Sequence, residues 1–216
     1  MNKIEEMKGA ILDMDGTLLD SMGIWDRIDH EFLARRGLEC PDDYKTAVAA
    51  LNSQRAAAYT IERFGFSDSP EELIAEWFGM CSDFYLHEAE LKPYAKEYCE
   101  KLKQDGIPMI LATASELTLV IPAMERTGLL GYFDSIVTAS EVARGKGFPD
   151  IYQEAARRLR LPESDCAVFE DILPGLTGAG MGDFYRVGVY DVNCRTPEEE
   201  MRAACDLYIR SFAELM

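Results

Sequence analysis

The sequence is poor in positive charge. Its 216 residues include 22 lysines and arginines against 39 aspartates and glutamates, which gives a formal net charge of −17. Nucleic-acid binding draws much of its affinity from cationic side chains that meet phosphates, and binding to anionic membrane surfaces needs polybasic segments. The composition therefore argues against both classes of protein. An anionic substrate needs a binding site at which local positive charge outweighs the overall negative charge of the protein.

Signals for zinc binding, export and membrane insertion are missing as well. The six cysteines are at least 11 residues apart, so no C-x-x-C pair occurs, and the two histidines have no cysteine nearby. We therefore expect no zinc site and reduced thiols. The acidic N-terminal segment does not resemble a signal peptide, and no run approaches the ~18 apolar residues of a membrane span. These features predict a cytoplasmic protein.

The segment from 23 to 90 lacks any strand pattern. Apolar residues recur at helical spacing from Ile24 onwards, and Gly37 then ends that first helix. Two more helices are predicted over 47–64 and 71–87. We predict that residues 23–90 form an all-helical domain.

The remainder of the chain alternates between short apolar strands and helices, which implies a parallel sheet covered on both faces. Residues 1–20 and 92–216 are therefore predicted to form one α/β domain of the Rossmann-like type, with the helical domain inserted into it. Its strands are predicted over 9–12, 108–112, 135–138, 166–169, 185–190 and 207–209, and its helices over 94–104, 117–126, 150–159, 175–179 and 197–204.

Chemically active side chains lie just past these strands and in one adjoining loop. In a doubly wound sheet, ligands bind beyond the carboxyl ends of the strands, so we expect these side chains to converge. Crowded carboxylates repel one another unless a cation neutralises them, and oxygen ligands without histidine or thiolate indicate Mg²⁺. The residues are Asp13, Asp15, Thr113, Lys146, Glu170 and Asp171.

The order and spacing of these residues resemble the haloacid dehalogenase-like hydrolases over the whole chain. Residues 13–17 read D-M-D-G-T, which matches the D-x-D-G-T of the family's first motif. Thr113, after a hydrophobic strand, matches the second motif, and Lys146 matches the third. The acidic pair Glu170-Asp171 matches the fourth.

The inserted helical segment is similar to the small α-helical cap of subfamily I of this family. The branch that it suggests is the one that holds the β-phosphoglucomutase-like phosphatases. The resemblance implies the family's Rossmann-like core with an inserted all-α cap domain. It also implies a Mg²⁺-dependent phosphatase that acts on a small phosphorylated metabolite, such as a sugar or polyol phosphate.

By the same resemblance, Asp13 is the nucleophile that becomes an aspartyl phosphate. Asp15 protonates the leaving oxygen and then deprotonates the water that attacks the intermediate. The Mg²⁺ ion would be held by the Asp13 side chain, the Asp15 backbone carbonyl and Asp171, with Glu170 close by or acting through water.

Four further residues are candidates for binding the substrate. By resemblance, Thr113 and Lys146 contact the phosphoryl oxygens and stabilise charge in the transition state. Arg55 lies near where relatives place cap residues that reach the substrate. Ser115 either donates a hydrogen bond to the phosphate or caps the N-terminus of the helix predicted from Leu117, and the role at the helix N-terminus is slightly favoured.

Two other functions remain open at this stage. One is a β-phosphoglucomutase-like sugar phosphomutase, although Trp25 stands where mutase members have a histidine. The other is a non-catalytic phosphate-binding or signalling module, since response-regulator receivers also combine acids, threonine and lysine around magnesium. We expect a monomer or a weak dimer.

Overall fold

Residues 3–49, 51 and 53–216, which the computed structural model describes, form eight β-strands. The strands are β1 (Gly9–Leu12), β2 (Leu19–Asp20), β3 (Glu90–Leu91), β4 (Met109–Thr113), β5 (Ser135–Thr138), β6 (Cys166–Glu170), β7 (Tyr185–Val189) and β8 (Leu207–Ile209). Six of them make a parallel sheet in the order β5-β4-β1-β6-β7-β8, and β2 and β3 pair antiparallel. The apolar strands β4, β1 and β6 at its centre are fully buried, as expected for parallel strands covered on both faces.

The chain divides into two compact units, one with residues up to Met22 and from Ala89 onwards, the other with Gly23–Glu88. No helix in the described part of the chain is both long and apolar enough to cross a membrane. The helices of the second unit are α1 (Gly23–Arg35), α2 (Asp42–Ala49), α3 (Ser53–Phe64) and α4 (Pro70–His87). Those of the first unit are α5 (Ala95–Gln104), α6 (Leu117–Arg126), α7 (Asp150–Leu159), α8 (Leu173–Ala179) and α9 (Glu198–Ala204).

Helices pack on both faces of the sheet because successive strand residues point to opposite sides. Val168 of β6 belongs to a buried cluster with Ile151 and Ala155 of α7. The next residue, Phe169, points the other way, and its ring lies 5.7 Å from that of Tyr98 on α5. The predicted two-faced α/β sheet is therefore confirmed.

The register of the strands brings the ends of three of them together. Ile11 of β1 is aligned with Ile110 of β4 on one side and with Val168 of β6 on the other. The backbone N–H of Asp13 donates to the carbonyl of Phe169 at 3.1 Å, which extends this pairing by one residue. The carboxyl ends of β1, β4 and β6 consequently lie at the same edge of the sheet.

The helical unit has its own core. Phe32 and Leu33 of α1 are buried there with Tyr44, Ala57 and Leu73 from the other three helices. Aromatic contacts dominate, since the ring of Phe32 lies 5.4 Å from that of Trp77 in an edge-on arrangement.

The helix predicted over 47–64 is wrong, because two helices, α2 and α3, occupy that region. Residues 50 and 52 between them lie outside the described residues. Asp42 and Asp43 open α2, and acidic residues in a first turn stabilise a helix by interacting with its dipole. This acidic start signal lies five residues before Ala47, where the apolar pattern alone predicts the helix to begin.

The expectation that residues 23–90 contain no strand is also wrong, because the last residue of that segment, Glu90, begins β3. Glu90 and Leu91 pair antiparallel with Asp20 and Leu19. A strand of two residues is too short to show an alternating pattern, so the sequence carries no periodic signal for it.

Arg160 ends α7 in the left-handed region, at φ 58 and ψ 36. This conformation strains any residue with a Cβ, and glycine is favoured there. We predict that Arg160→Gly stabilises the protein by roughly 0.5 to 1 kcal/mol, after allowance for the greater entropy of glycine in the unfolded chain. The melting temperature should rise by about 1 to 4 °C in a thermal unfolding experiment.

Arg157→Gly is the matched control, because it makes the same exchange inside the same helix. Glycine in a helix interior costs about 1 kcal/mol, so this variant should melt at a lower temperature than the wild type. Equal destabilisation by both variants would contradict strain at Arg160.

Candidate active site

Three buried carboxylates meet at the edge where β1 and β6 end. Asp13 follows β1, Glu170 is the last residue of β6, and Asp171 comes next; their exposed fractions are 5%, 0% and 1%. One carboxylate oxygen of each lies within 4.8 Å of those of the other two. The structure thus brings together three of the predicted metal ligands.

A single lysine contacts two of these carboxylates. The ammonium of Lys146, itself only 8% exposed, forms ion pairs with Asp13 Oδ1 and, at 2.7 Å, with Glu170 Oε1. Burial by itself lowers the pKa of Lys146, but the charges of Asp13 and Glu170 outweigh that effect and raise it above the usual value. Lys146 therefore stays protonated.

Three ionised carboxylates would carry more negative charge than this lysine can balance. Burial raises the pKa of Glu170 to about 7, although Lys146 opposes the shift. Burial likewise raises the pKa of Asp171 well above its usual value, and the charges of Asp13 and Glu170 add to it. Lys92, which also faces this region, is paired with Asp191 at 2.7 Å. Ionised, the three carboxylates would leave the site with excess negative charge.

Two carboxylate oxygens in the cluster have no hydrogen-bond partner among the residues that the structure describes. These buried atoms are Glu170 Oε2 and Asp171 Oδ2. Glycines make room for both: a Cβ at Gly16 would lie 2.0 Å from Asp171 Oδ2, and one at Gly175 would lie 2.5 Å from Glu170 Oε2. Buried, unpartnered carboxylate oxygens with excess negative charge fit a divalent cation with a preference for oxygen ligands.

Asp15 lies outside this carboxylate cluster and has a different environment. Ser21 donates a hydrogen bond to its Oδ1 at 2.6 Å, and Ser115 donates to its Oδ2 at 2.7 Å. The slight preference for Ser115 as a helix cap is wrong, because α6 has Glu116 at its N-cap position and Ser115 points to Asp15 instead. A contact between residues 100 positions apart cannot be predicted from the local sequence pattern.

Thr113 lies at the end of β4, fully buried, and its hydroxyl accepts a hydrogen bond from the backbone of Ser115 at 3.0 Å. Its own hydrogen remains available for another acceptor. Arg55 is an exposed residue of α3 in the helical unit, and its role as a substrate contact stays a prediction.

Three residues that sequence reasoning did not single out also support the site. Tyr152 of α7 donates to Glu170 Oε1 at 2.8 Å, and Thr17 donates to Asp171 Oδ1 at 3.3 Å. Ser21, described above, is the third. Thr17 could have been found as the last residue of the D-x-D-G-T motif, whereas Tyr152 looks like an ordinary core residue of an amphipathic helix.

Comparison with known proteins supports the motif-based expectation. The model of the haloacid dehalogenase-like hydrolase family matches residues 7–182. The chain is 30% identical over 197 residues to the probable pseudouridine-5'-phosphatase of Drosophila melanogaster, covering 88% of this chain and 85% of that protein. It is 29% identical to fructose-1-phosphate phosphatase YqaB of Escherichia coli, covering 81% and 92%.

A longer protein also matches. The chain is 28% identical, over 81% of its own length, to a bifunctional riboflavin kinase/FMN phosphatase of Arabidopsis thaliana, but spans only 46% of that protein. Among solved structures, mutant CbbY of Rhodobacter sphaeroides in complex with xylulose-(1,5)bisphosphate has a TM-score of 0.79 at 25% identity, covering 97% of this chain and 96% of that one. The chain therefore belongs to the haloacid dehalogenase-like hydrolases and is an enzyme of that family.

Proposed function

We propose that the protein is a Mg²⁺-dependent phosphatase that hydrolyses a small phosphate monoester, of the sugar or polyol phosphate type, through an aspartyl-phosphate intermediate. The observation that carries this proposal is the buried cluster of Asp13, Glu170 and Asp171 around Lys146, with two oxygens left unpartnered. Such a cluster is costly to bury, which is typical of a site built for chemistry.

Asp13 is the proposed nucleophile. Burial raises the pKa of Asp13, and the ammonium of Lys146, which contacts its carboxylate, opposes that rise and favours the ionised form that attack on phosphorus requires. A bond forms between a carboxylate oxygen of Asp13 and phosphorus while the ester P–O bond breaks. The leaving oxygen carries the electron pair away.

Asp15 is the proposed acid and base. It gives its proton to the leaving oxygen, so the product departs as a neutral alcohol. It then takes a proton from the water that attacks the phosphorus of the intermediate, and the bond between Asp13 and phosphorus breaks. Inorganic phosphate leaves and both carboxyl groups return to their starting states.

Mg²⁺ fits the unpartnered oxygens, and Asp13, Asp171 and Glu170 would hold it together with the backbone carbonyl of Asp15. When bound, it would neutralise the phosphoryl oxygens and the crowded carboxylates. Lys146 supplies a fixed positive charge beside the nucleophile, and the Thr113 hydroxyl at the end of β4 supplies a hydrogen-bond donor. We assign both to binding the phosphoryl oxygens.

The substrate class rests on the relatives. One is named for fructose 1-phosphate and one for pseudouridine 5'-phosphate, which are both phosphate monoesters of a hydroxyl on a sugar. A structural relative at 25% identity holds a sugar bisphosphate. We infer that this enzyme also takes a small phosphorylated metabolite of that kind.

Asp13→Asn tests the mechanism directly. An amide cannot act as the nucleophile, so the release of phosphate from p-nitrophenyl phosphate with saturating Mg²⁺ should fall by at least about a thousandfold. The variant should still fold, as judged by its circular dichroism spectrum and melting temperature.

Asp183→Asn is the matched control, because Asp183 is exposed and lies outside the cluster. It should keep the wild-type rate within about twofold, as expected for a surface exchange. A wild-type rate of phosphate release by Asp13→Asn would contradict the aspartyl-phosphate mechanism.

The charge of the site predicts how metal-free stability depends on pH. Because the pKa of Glu170 is about 7 in the folded protein against 4.5 ordinarily, the native state binds more protons than the unfolded state between those values. Stability in EDTA should therefore fall as the pH rises from about 5 to 7.5, by up to roughly 3 kcal/mol from this residue. Thermal melts across this range measure the effect, and saturating Mg²⁺ should remove most of it.

Glu170→Gln should flatten this pH dependence and lose most of the stabilisation by Mg²⁺. The Asp183→Asn control should keep both. If Mg²⁺ raises the melting temperature of Glu170→Gln as much as that of the wild type, Glu170 does not belong to a metal site.

A further inference from the structure

The carboxylate of Asp15 is held on both of its oxygens by hydroxyl groups. Ser21, six residues further along the chain, donates to Oδ1 at 2.6 Å. Ser115, a hundred residues away beyond the end of β4, donates to Oδ2 at 2.7 Å. Two separate segments of the α/β unit thus fix the orientation of one side chain.

The partners of Asp15 differ in kind from the partner of Asp13. Lys146 can only donate hydrogen bonds, so it stabilises Asp13 as an anion. A serine hydroxyl is uncharged and donates one hydrogen bond to a carboxylate. The two serines therefore orient Asp15 without placing a positive charge beside it.

Ser115 is itself fixed in place. Its backbone N–H donates to the Thr113 hydroxyl at 3.0 Å, and Glu116 follows at once as the N-cap of α6. The side chain is half-buried, which limits competition from bulk water. Its hydroxyl is accordingly held close to Asp15 by the turn that follows β4.

We propose that Ser115 is a positioning residue for Asp15, whose hydroxyl, together with that of Ser21, fixes the orientation of the Asp15 side chain. This inference rests on the proposed function, in which Asp15 both gives and takes a proton. As the ester P–O bond breaks, the proton moves from Asp15 to the leaving oxygen, and the orientation of the Asp15 side chain decides how directly the proton reaches that oxygen.

The experiment compares two substrates that need the acid to different degrees. Phenyl phosphate has a basic leaving group that requires a proton, whereas 2,4-dinitrophenyl phosphate has one that leaves without it. The ratio kcat/KM reports the steps up to the departure of the leaving group, so it isolates the acid role of Asp15 from its later base role.

Ser115→Ala should lower kcat/KM for phenyl phosphate by about tenfold, because Asp15 then keeps Ser21 as an anchor but is free to turn. For 2,4-dinitrophenyl phosphate the loss should stay below about twofold. Ser115→Thr keeps the hydroxyl and should restore most of the activity on phenyl phosphate. Ser135→Ala, at the start of β5, is the matched control and should change neither value.

Three results would overturn the proposal: an equal loss on both substrates, no loss on either, or a threonine variant that folds but shows no rescue. Its failure is distinguishable from failure of the proposed function. If the wild type turns over both substrates and Asp13→Asn does not, a flat response to Ser115→Ala overturns only the role of Ser115. If the wild type turns over neither, both proposals are wrong.

Discussion

The ion pairs that Lys146 makes with Asp13 and Glu170 are the contacts on which the rest of the site depends. Burial already raises the pKa values of the three carboxyl groups, and without this buried ammonium, which opposes that shift, their pKa values would rise further. The surrounding packing holds the lysine there. A Cβ at Gly178 of α8 would lie 2.0 Å from the backbone carbonyl of Lys146, so helix and loop approach as closely as glycine allows.

The register of the strands is the second condition for bringing the acidic residues of the site together. Because β1 and β6 are adjacent and parallel, and because Ile11 is aligned with Val168, the residues that follow each strand emerge side by side. A shift of one residue would turn Glu170 towards the opposite face of the sheet. The apolar packing of the core and the charged chemistry at its edge are thus set by the same pairing.

Much of this was accessible from sequence, for a physical reason. A buried strand followed at once by acidic residues places those acids at the carboxyl edge of a parallel sheet, so Asp13, Glu170 and Asp171 could be predicted together. Residues that support them could not, because nothing local distinguishes Tyr152 from other apolar positions of α7 or Ser115 from a helix cap. Their roles depend on contacts between segments distant in sequence, and these exist only once the sheet has formed.

The acidity of the chain bears on the order in which this site binds its ligands. A phosphate monoester arrives as an anion, and here it meets three carboxylates and one lysine in a protein of net charge −17. Since repulsion between like charges at short range in a buried site is strong, the proposed mechanism requires the cation to bind before the phosphorus atom of the ester can approach Asp13. The proposed function therefore makes Mg²⁺ a condition for substrate binding as well as for the chemical step.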